Sequence, residues 1–457
     1  MSTHPFPEYS TFNSIRICVV MVGLPARGKS FISQKIKRYL SWLSVPTASF
    51  NQSAYREKRA MDLLPEGSDV FTLHDEQAAK VRQLAENDCI EAILEWYTLH
   101  DAGVTIYDGA NTSRQTRKRL YDILAEHDVQ TVFLESFCDD EAKIQANVMD
   151  INRTSPEYAE KSTEYTVADL KKKTKFYNSM YEPMDMEHDG QYTFIKLLNL
   201  SSQILINRID SYLQSRIVFY VMNLHVKPRY IWLSRHGESQ YNLEGKIGGD
   251  ADLSQRGWKY ARKLKHMVDQ YIPDQQNLQV WTSTLKRTQQ TASFLQFPKK
   301  TWKALDELDA GSCDGLTYDE IAQRFPKDFK ARDDNKFGYR YPGGESYRDV
   351  ITRLEPIIME LENQENVLVI THQAVLRCIY AYFMNVQQKD SPWMSIPLHT
   401  LIKLDIRAYN TIVTRIKADI PAVSTYKEKG TSKLGETSDE SKNLAGSIIS
   451  SSTGQVV

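Results

Sequence analysis

The chain has 457 residues, of which 57 are Lys or Arg, 58 are Asp or Glu and 41% are hydrophobic. That length supports two or three domains, each with its own core. A formal net charge of −1 carries no polyelectrolyte footprint for nucleic acid, and no apolar run reaches the ~20 residues of a membrane helix.

Residues 1–14 lack the basic-then-apolar pattern of a secretory signal and read as a short N-terminal segment. Cys18, Cys89, Cys138, Cys313 and Cys378 are scattered, odd in number and without metal-ligand spacing. Such usage fits a reducing compartment, so a soluble cytoplasmic protein is expected, with no nucleic-acid or membrane partner.

Residues 15–226 alternate strand-like and helix-like patterns. IRICVVMV (15–22) is a short β-branched apolar run, hence a buried strand. It leads into GLPARGKS (23–30), which fits G-x-x-x-x-G-K-[ST] and is followed by apolar Ile32, Ile36, Tyr39, Leu40 and Leu43 at helical spacing. A strand before and a helix after are the context this phosphate loop requires. Gly23 and Gly28 let the backbone curl so that N–H groups face an anion, Lys29 reaches the terminal phosphates, and Ser30 is a candidate Mg²⁺ ligand. GVTIYDGAN (103–111) and TVFLES (131–136) predict two more strands. Asp108, at the end of the first, is a candidate Mg²⁺ carboxylate, or an Asx-turn or helix cap. Cys138, just past the second, is either a ligand contact or a buried inert thiol. The run Lys171-Lys172-Lys173 reads as solvated helix face. Strands alternating with helices predict a parallel α/β sheet.

A boundary is expected near 224–229, around Pro228, followed by a second α/β block to about residue 423. Its first strand runs into Arg235-His236-Gly237-Glu238. A neutral imidazole takes a phosphoryl group if the anionic charge around it is neutralised, and Arg235 supplies a planar fork for phosphate oxygens. Arg287, in TSTLKRTQQTA, offers a second fork; Glu307, in ALDELDAG, could protonate a leaving oxygen if anions and burial raise its pKa. His372, in VLVITHQAV, is a second imidazole that could flank the same phosphoryl group, while His399 reads as structural. All four candidates fall at predicted strand ends or adjacent loops, where one edge of a parallel sheet would gather them. From residue 424 the composition turns to Lys, Gly, Ser, Thr and Glu, predicting a disordered tail over 424–457. Ser424, Thr431, Ser432 and Ser438 are modifiable hydroxyls there, with no regulatory role assigned.

GLPARGKS, RHGESQYNLEGKIGGD, VWTSTLKRTQQTA, ALDELDAG, YRYPGGESY and THQAVLRC, in this order, resemble the 6-phosphofructo-2-kinase/fructose-2,6-bisphosphatase family over nearly the whole chain. The resemblance implies a P-loop kinase-like domain (15–226) followed by a histidine phosphatase domain (227–423) of phosphoglycerate-mutase-like α/β fold. It implies a phosphohistidine on His236, a proton donor in Glu307, and phosphoryl contacts from Arg235, Asn242, Arg287 and His372. Gly248, Tyr318, Arg332, Lys336, Tyr347, Gln373 and Arg377 match positions holding the bisphosphate sugar. In the first half it implies ATP with Mg²⁺ on Gly23, Leu24, Pro25, Ala26, Arg27, Gly28, Lys29, Ser30 and Asn147, with Arg56, Arg82 and Tyr177 toward fructose 6-phosphate. No cofactor is implied for the bisphosphatase, and a homodimer is implied.

One part of the pattern departs. Where the family reads Asp-Ala-Thr-Asn-Thr-Thr-Arg-Glu-Arg, this chain reads DGANTSRQT, so Ala110 replaces a threonine and Thr116 an arginine. Asn152 stands in place of a lysine and Lys173 in place of an arginine. Two or three lost contacts to a charged group, at about 1.5–3 kcal/mol each, would cost a thousandfold or so in sugar affinity. Arg114, Arg117 and Arg153 are close enough in sequence to substitute. The expectation is a bisphosphatase whose kinase is weak or lost. A fully bifunctional enzyme is the alternative; a mutase acting on phosphoglycerate and a non-catalytic ATP-sensing scaffold are the remaining readings.

Overall fold

The computed structural model describes residues 15–426 apart from 66, 73–74, 159–160, 200–201, 225–228, 274 and 408–410. The predicted N-terminal segment, the residues around Pro228, and Thr431, Ser432 and Ser438 lie outside them. Between 228 and 229 the chain divides into two compact units.

The first unit holds strands β1 (Arg16–Val22), β2 (Thr47–Asn51), β3 (Gly103–Asp108), β4 (Gln130–Phe137), β5 (Thr193–Leu198) and β6 (Gln203–Asn207). Their order is β2-β3-β1-β4-β5-β6. β1 lies centrally, parallel to both β3 and β4, and is buried from Ile17 to Val22. A continuous apolar run is what a strand covered on both faces requires. The helix Lys29–Trp42 follows β1 and buries Ile32, Ile36, Tyr39 and Leu40 of the predicted stripe, while Leu43 falls at its C-cap and is half-buried. The all-parallel expectation needs one correction here: β6 runs antiparallel to β5. Only four residues separate the two strands, too few for a crossover helix.

The second unit holds β7 (Arg229–Arg235), β8 (Gln279–Thr282), β9 (Lys299–Thr301), β10 (Asn366–Thr371), β11 (Thr400–Ile406) and β12 (Thr411–Lys417), in the order β12-β11-β7-β10-β8-β9. β7, β10, β8 and β9 are parallel, whereas β11 and β12 form an antiparallel edge. Register places Arg235 beside Thr371, and Ile370 beside Thr282. The residues that leave these three strands, His236, His372 and Ser283, therefore emerge on one edge. Trp232, Val280, Leu368 and Ile370 pack with Tyr260, Leu264 and Val268 of the helix Gln255–Tyr271 to close the core beneath them.

Candidate active sites

In the second unit β7 ends at Arg235 and the backbone N–H of His236 still donates to the Thr371 carbonyl at 3.0 Å, so the imidazole is held at the sheet edge. Gly237 is required there by close approach: a Cβ would lie 2.6 Å from the Gly257 carbonyl oxygen. His236 Nδ1 is 2.7 Å from the Gly237 carbonyl oxygen. A carbonyl only accepts, so the proton is on Nδ1 and Nε2 bears the lone pair. Burial, with the charges of Arg287 and Arg235, holds this imidazole well below its ordinary pKa. It is a neutral nucleophile at neutral pH.

Arg235, Lys246, Arg287, Arg332, Lys336 and Arg377 line the cavity around His236, with Glu307 as the one carboxylate among the described lining residues. Six cations around a small concave site point to a ligand carrying more than one anionic group. Arg235 donates through Nη1 to Ile396 O (2.9 Å) and Thr425 Oγ1 (2.7 Å), while its buried Nε–H has no protein partner among the described residues. An orphaned buried donor of this kind fits an anion's oxygen. Arg287 donates through Nη1 to Gly249 O at 2.6 Å and through Nε to His372 Nδ1 at 3.2 Å. Glu307 is fixed by backbone N–H groups of Leu308, Gln373 and Ala374 at 3.0–3.1 Å, the last two opening the helix Gln373–Met384. Asn242, in the helix Gln240–Glu244, spends its Oδ1 on the Ser239 N–H, which leaves its amide nitrogen as the donor.

The sugar-binding candidates gather in the same cavity: Gly248, Tyr318, Arg332, Lys336, Tyr347, Gln373 and Arg377 all line it. Arg332 donates to Tyr341 Oη (2.8 Å) and Tyr318 Oη (3.1 Å), Arg377 to Tyr347 Oη (3.0 Å), and the Lys336 ammonium lies 4.0 Å above the Trp393 ring. Gly248 has φ +69, and a Cβ would meet Asp314 Oδ1 at 1.6 Å.

His372 stands beside the nucleophile, its ring centroid 5.2 Å from that of His236, and its Nδ1 accepts from Arg287 Nε at 3.2 Å. His399 Nε2 accepts the Glu238 N–H at 3.0 Å, a structural part. Lys246, Tyr241, Tyr341 and Thr425 also line the cavity, the first two from within RHGESQYNLEGKIGGD. Tyr341 stands inside YRYPGGESY, so a local motif signals it. None signals Thr425: its neighbours have the composition of a tail, yet Ser424–Tyr426 are among the described residues and Thr425 meets Arg235.

In the first unit the loop after β1 makes the expected anion cradle. Gly23 (φ +133), Ala26 (φ 58) and Gly28 (φ 85) supply left-handed backbone. Lys29 Nζ donates to the Leu24 carbonyl at 2.7 Å, and burial pushes its pKa down to about 8. Arg27 reaches back to the Cys138 and Pro25 carbonyls, and Asn147 donates to Ala26 O. Asp108, ending β3, accepts from Ser30 and from Asn51 Nδ2 (3.1 Å), and burial raises its pKa. Buried carboxylate and hydroxyl side by side beneath a phosphate loop fit Mg²⁺, which takes few protein ligands beside phosphate oxygens. Among the described residues no cluster of three or more His, Cys, Asp or Glu offers a metal cage of its own.

Pro25, Ala26, Gly28, Lys29, Ser30, Arg56, Asp108, Asn147 and Tyr177 line one cavity; Gly23, Leu24, Arg27 and Cys138 do not. Arg82 lines an adjoining one that shares Arg56 and Tyr177. Cys138 is buried and its carbonyl, not its thiol, bonds the loop. In the first cavity Lys29, Arg56 and Lys173 face Asp108, Asp150 and Glu157, three cations to three carboxylates. Lys173 is itself bound to Glu157 (2.5 Å) and Asp169 (2.8 Å), so it is not the solvated face expected of 171–173. Asn152 is tied to Thr163 and Thr166. Arg117 is wholly buried on backbone carbonyls and Asp189, Arg114 is paired with Glu182 and Asp185, and Arg153 is exposed. None of these three arginines lines either cavity.

Residues 6–228 match the 6-phosphofructo-2-kinase family and residues 231–419 the histidine phosphatase superfamily, branch 1. A fructose-2,6-bisphosphatase of Saccharomyces cerevisiae is 57% identical over 439 residues, 95% of this chain and 97% of its own. The chain belongs to the 6-phosphofructo-2-kinase/fructose-2,6-bisphosphatase family. A 6-phosphofructo-2-kinase/fructose-2,6-bisphosphatase 3 of Rattus norvegicus is 42% identical, across 90% of this chain and 74% of its own, and a 6-phosphofructo-2-kinase/fructose-2,6-bisphosphatase of Aquarana catesbeiana is 43% identical, across 92% and 88%. Among solved structures, the alpha-ribazole phosphatase of Shigella flexneri aligns with TM-score 0.38 and 23% identity, covering 43% of this chain and all of its own. No helix among the described residues is long and apolar enough to cross a membrane.

Proposed function

We propose that this family member hydrolyses fructose 2,6-bisphosphate to fructose 6-phosphate and phosphate, and that its kinase half is weak or inactive. What carries the reading is the contrast between the two cavities: around His236 six cations line the site against one carboxylate, and four of them remain once Lys246 and Arg332 are set against Glu244 and Asp333, whereas the phosphate loop has three against three.

The His236 Nε2 lone pair attacks the C2 phosphorus in line while Arg235, Arg287 and Asn242 hold its oxygens. The bond from phosphorus to the C2 oxygen breaks, and that oxygen takes a proton from Glu307. Fructose 6-phosphate leaves, with Arg332, Lys336, Tyr347 and Arg377 having held the sugar and its second phosphate. Glu307, now a carboxylate, removes a proton from water, which attacks phosphorus and returns the electron pair to Nε2. Phosphate is released and Glu307 is protonated again.

A kinase of this family works on ATP with Mg²⁺, and Lys29, Ser30 and Asp108 would hold that group, which would polarise the terminal phosphate. ATP binding is thereby retained in this reading, and what is lost is the sugar end. Ala110 and Asn152 offer no charge, and Lys173 is already neutralised by carboxylates. The intact loop, the kinase-family match over residues 6–228 and the bifunctional relatives favour a fully bifunctional enzyme. A homodimer is the assembly this reading takes, supported by the open β6 edge with exposed Leu205 and Ile206; light scattering on the full chain checks it.

The deciding experiment supplies Mg-ATP and fructose 6-phosphate to His236→Ala and assays fructose 2,6-bisphosphate. No product, with ATP binding retained and the unaltered protein hydrolysing the bisphosphate, is expected. Accumulation at ordinary substrate concentrations would establish the bifunctional reading instead.

A further inference from the structure

Glu307 delivers the proton in the hydrolysis, and it is presented by a loop, outside any strand or helix. That loop, residues 302–309, is pinned at its start. The Trp302 N–H donates to the Thr282 carbonyl at 2.9 Å and Thr371 Oγ1 to the Leu305 carbonyl at 2.5 Å. The Thr284 N–H and hydroxyl donate to the Asp306 carboxylate at 2.7–2.8 Å. Past Asp306 this support stops: among the described residues no backbone–backbone hydrogen bond reaches Glu307 or Leu308. A general acid has to stand within about 3 Å of the oxygen it protonates, which an unsupported loop does not ensure.

One side chain supplies what the backbone does not. Arg353, in the helix Tyr347–Asn363, donates through Nη1 to the Ala304 carbonyl and through Nη2 to the carbonyls of Asp306 (2.8 Å) and Glu307 (3.2 Å). Its Nε and Nη2 also meet the two oxygens of the Glu345 carboxylate, at 2.8 and 3.0 Å. Glu345 accepts the Asp309 N–H at 3.1 Å and donates its own N–H to the Asp309 carbonyl at 2.9 Å, which closes the far end of the loop. Only a guanidinium has enough donors in a fixed plane to serve three carbonyls and a carboxylate together. Neither Arg353 nor Glu345 lines the cavity around His236. Their side chains keep 23% and 24% of their exposure, and an ion pair so open to water adds little to stability by itself.

We propose that Arg353, braced by Glu345, is the positioning residue for the proton donor. It holds the main chain of the Glu307 loop while the N–H groups of Gln373 and Ala374 hold the carboxyl, so the acid meets the C2 oxygen as the bond from phosphorus breaks. Arg353 touches no substrate atom and carries no proton in the reaction. What Glu307 does rests on the bisphosphatase reading; the bonded frame of its loop does not.

A double-mutant cycle on the full chain tests it, read as the rate of phosphohistidine formation on His236 when fructose 2,6-bisphosphate meets excess enzyme. Arg353→Gln and Arg353→Lys should each slow that step about a hundredfold, the scale of a misplaced catalytic group, because neither spans the four acceptors. Glu345→Gln, which loosens the brace but leaves the carbonyl contacts, should slow it about tenfold. On a Glu307→Gln background there is no proton to deliver, and the Arg353 substitutions should cost less than about threefold more. Arg353→Lys keeps a cation beside Glu345, so it carries the cycle if Arg353→Gln does not fold. Equal slowing with and without Glu307→Gln, in an unaltered protein that is active, would show a merely structural role and overturn this inference alone. Arg353 variants reacting as fast as the unaltered protein would overturn it too. No phosphohistidine in the unaltered protein would overturn the functional reading, and this inference with it.

Discussion

At the scale of single residues the second unit is organised around one nitrogen lone pair. Gly237 O takes the His236 Nδ1 hydrogen, so Nε2 is free without any base to deprotonate it. The surrounding cations divide into two groups by position. Arg235 and Arg287 adjoin the imidazole, while Arg332 and Lys336 are anchored on Tyr318, Tyr341 and Trp393. Replacing Arg332 or Lys336 by Ala should therefore raise KM for fructose 2,6-bisphosphate about 10- to 100-fold, the worth of one charged hydrogen bond, with a smaller change in kcat. Replacing Arg287 by Ala should fall mainly on kcat. Steady-state kinetics on the three variants check the split, and a pure kcat loss in Lys336→Ala would remove that residue from the sugar end.

At the scale of elements, function follows from where strands stop. The β7–β10–β8 register brings three chain exits side by side, and the glycine after β7 lets the helix Gln255–Tyr271 approach within contact. Gly237→Ala should force that contact apart, costing about 1–3 kcal/mol of stability and most of the activity; urea unfolding followed beside hydrolysis measures both. In the first unit the proposed weakness of the kinase half is local to its sugar end. Ala110→Thr, Thr116→Arg, Asn152→Lys and Lys173→Arg together, on the His236→Ala background, should bring kinase product up from the baseline at least tenfold, since each restores a contact worth about 1 kcal/mol or more. An unchanged baseline would put the loss elsewhere in the domain.

At the scale of the whole molecule, three buried histidines link stability to pH. His236, His372 and His399 all have folded pKa values below the ordinary one, burial being the largest cause. The unfolded chain therefore binds more protons than the folded one once pH drops to about 6.5, and their contribution to stability is lost as pH falls further. The unfolding midpoint of the second unit should decline from pH 7 toward pH 5, and Ser283→Ala, which leaves all three rings in place, should retain the trend. A midpoint flat across that interval would show that these rings are protonated in the folded state without penalty.

The phosphate loop, the strand before it, the RHGE turn and the order of the later motifs were legible in the linear chain because each is local: a hydrophobic period followed within a few residues by the groups it presents. The same holds for β1, β3, β4, β7 and β10, whose apolar runs are continuous because both faces are covered. The edge strands β6 and β12 were not legible, since half-exposed strands carry a weak pattern. Nor was the engagement of Arg114, Arg117 and Lys173, whose partners at Glu182, Asp189 and Glu157 come from other elements. The sequence by itself determined the family and that Ala110, Thr116, Asn152 and Lys173 depart from its pattern in the first half. Only the tertiary structure decided which cations line one cavity with His236, that Thr425 reaches Arg235, and that His372 faces Arg287. The physical reason is that a side chain's charge is written in one residue, whereas its partners are brought to it by strands and helices distant along the chain.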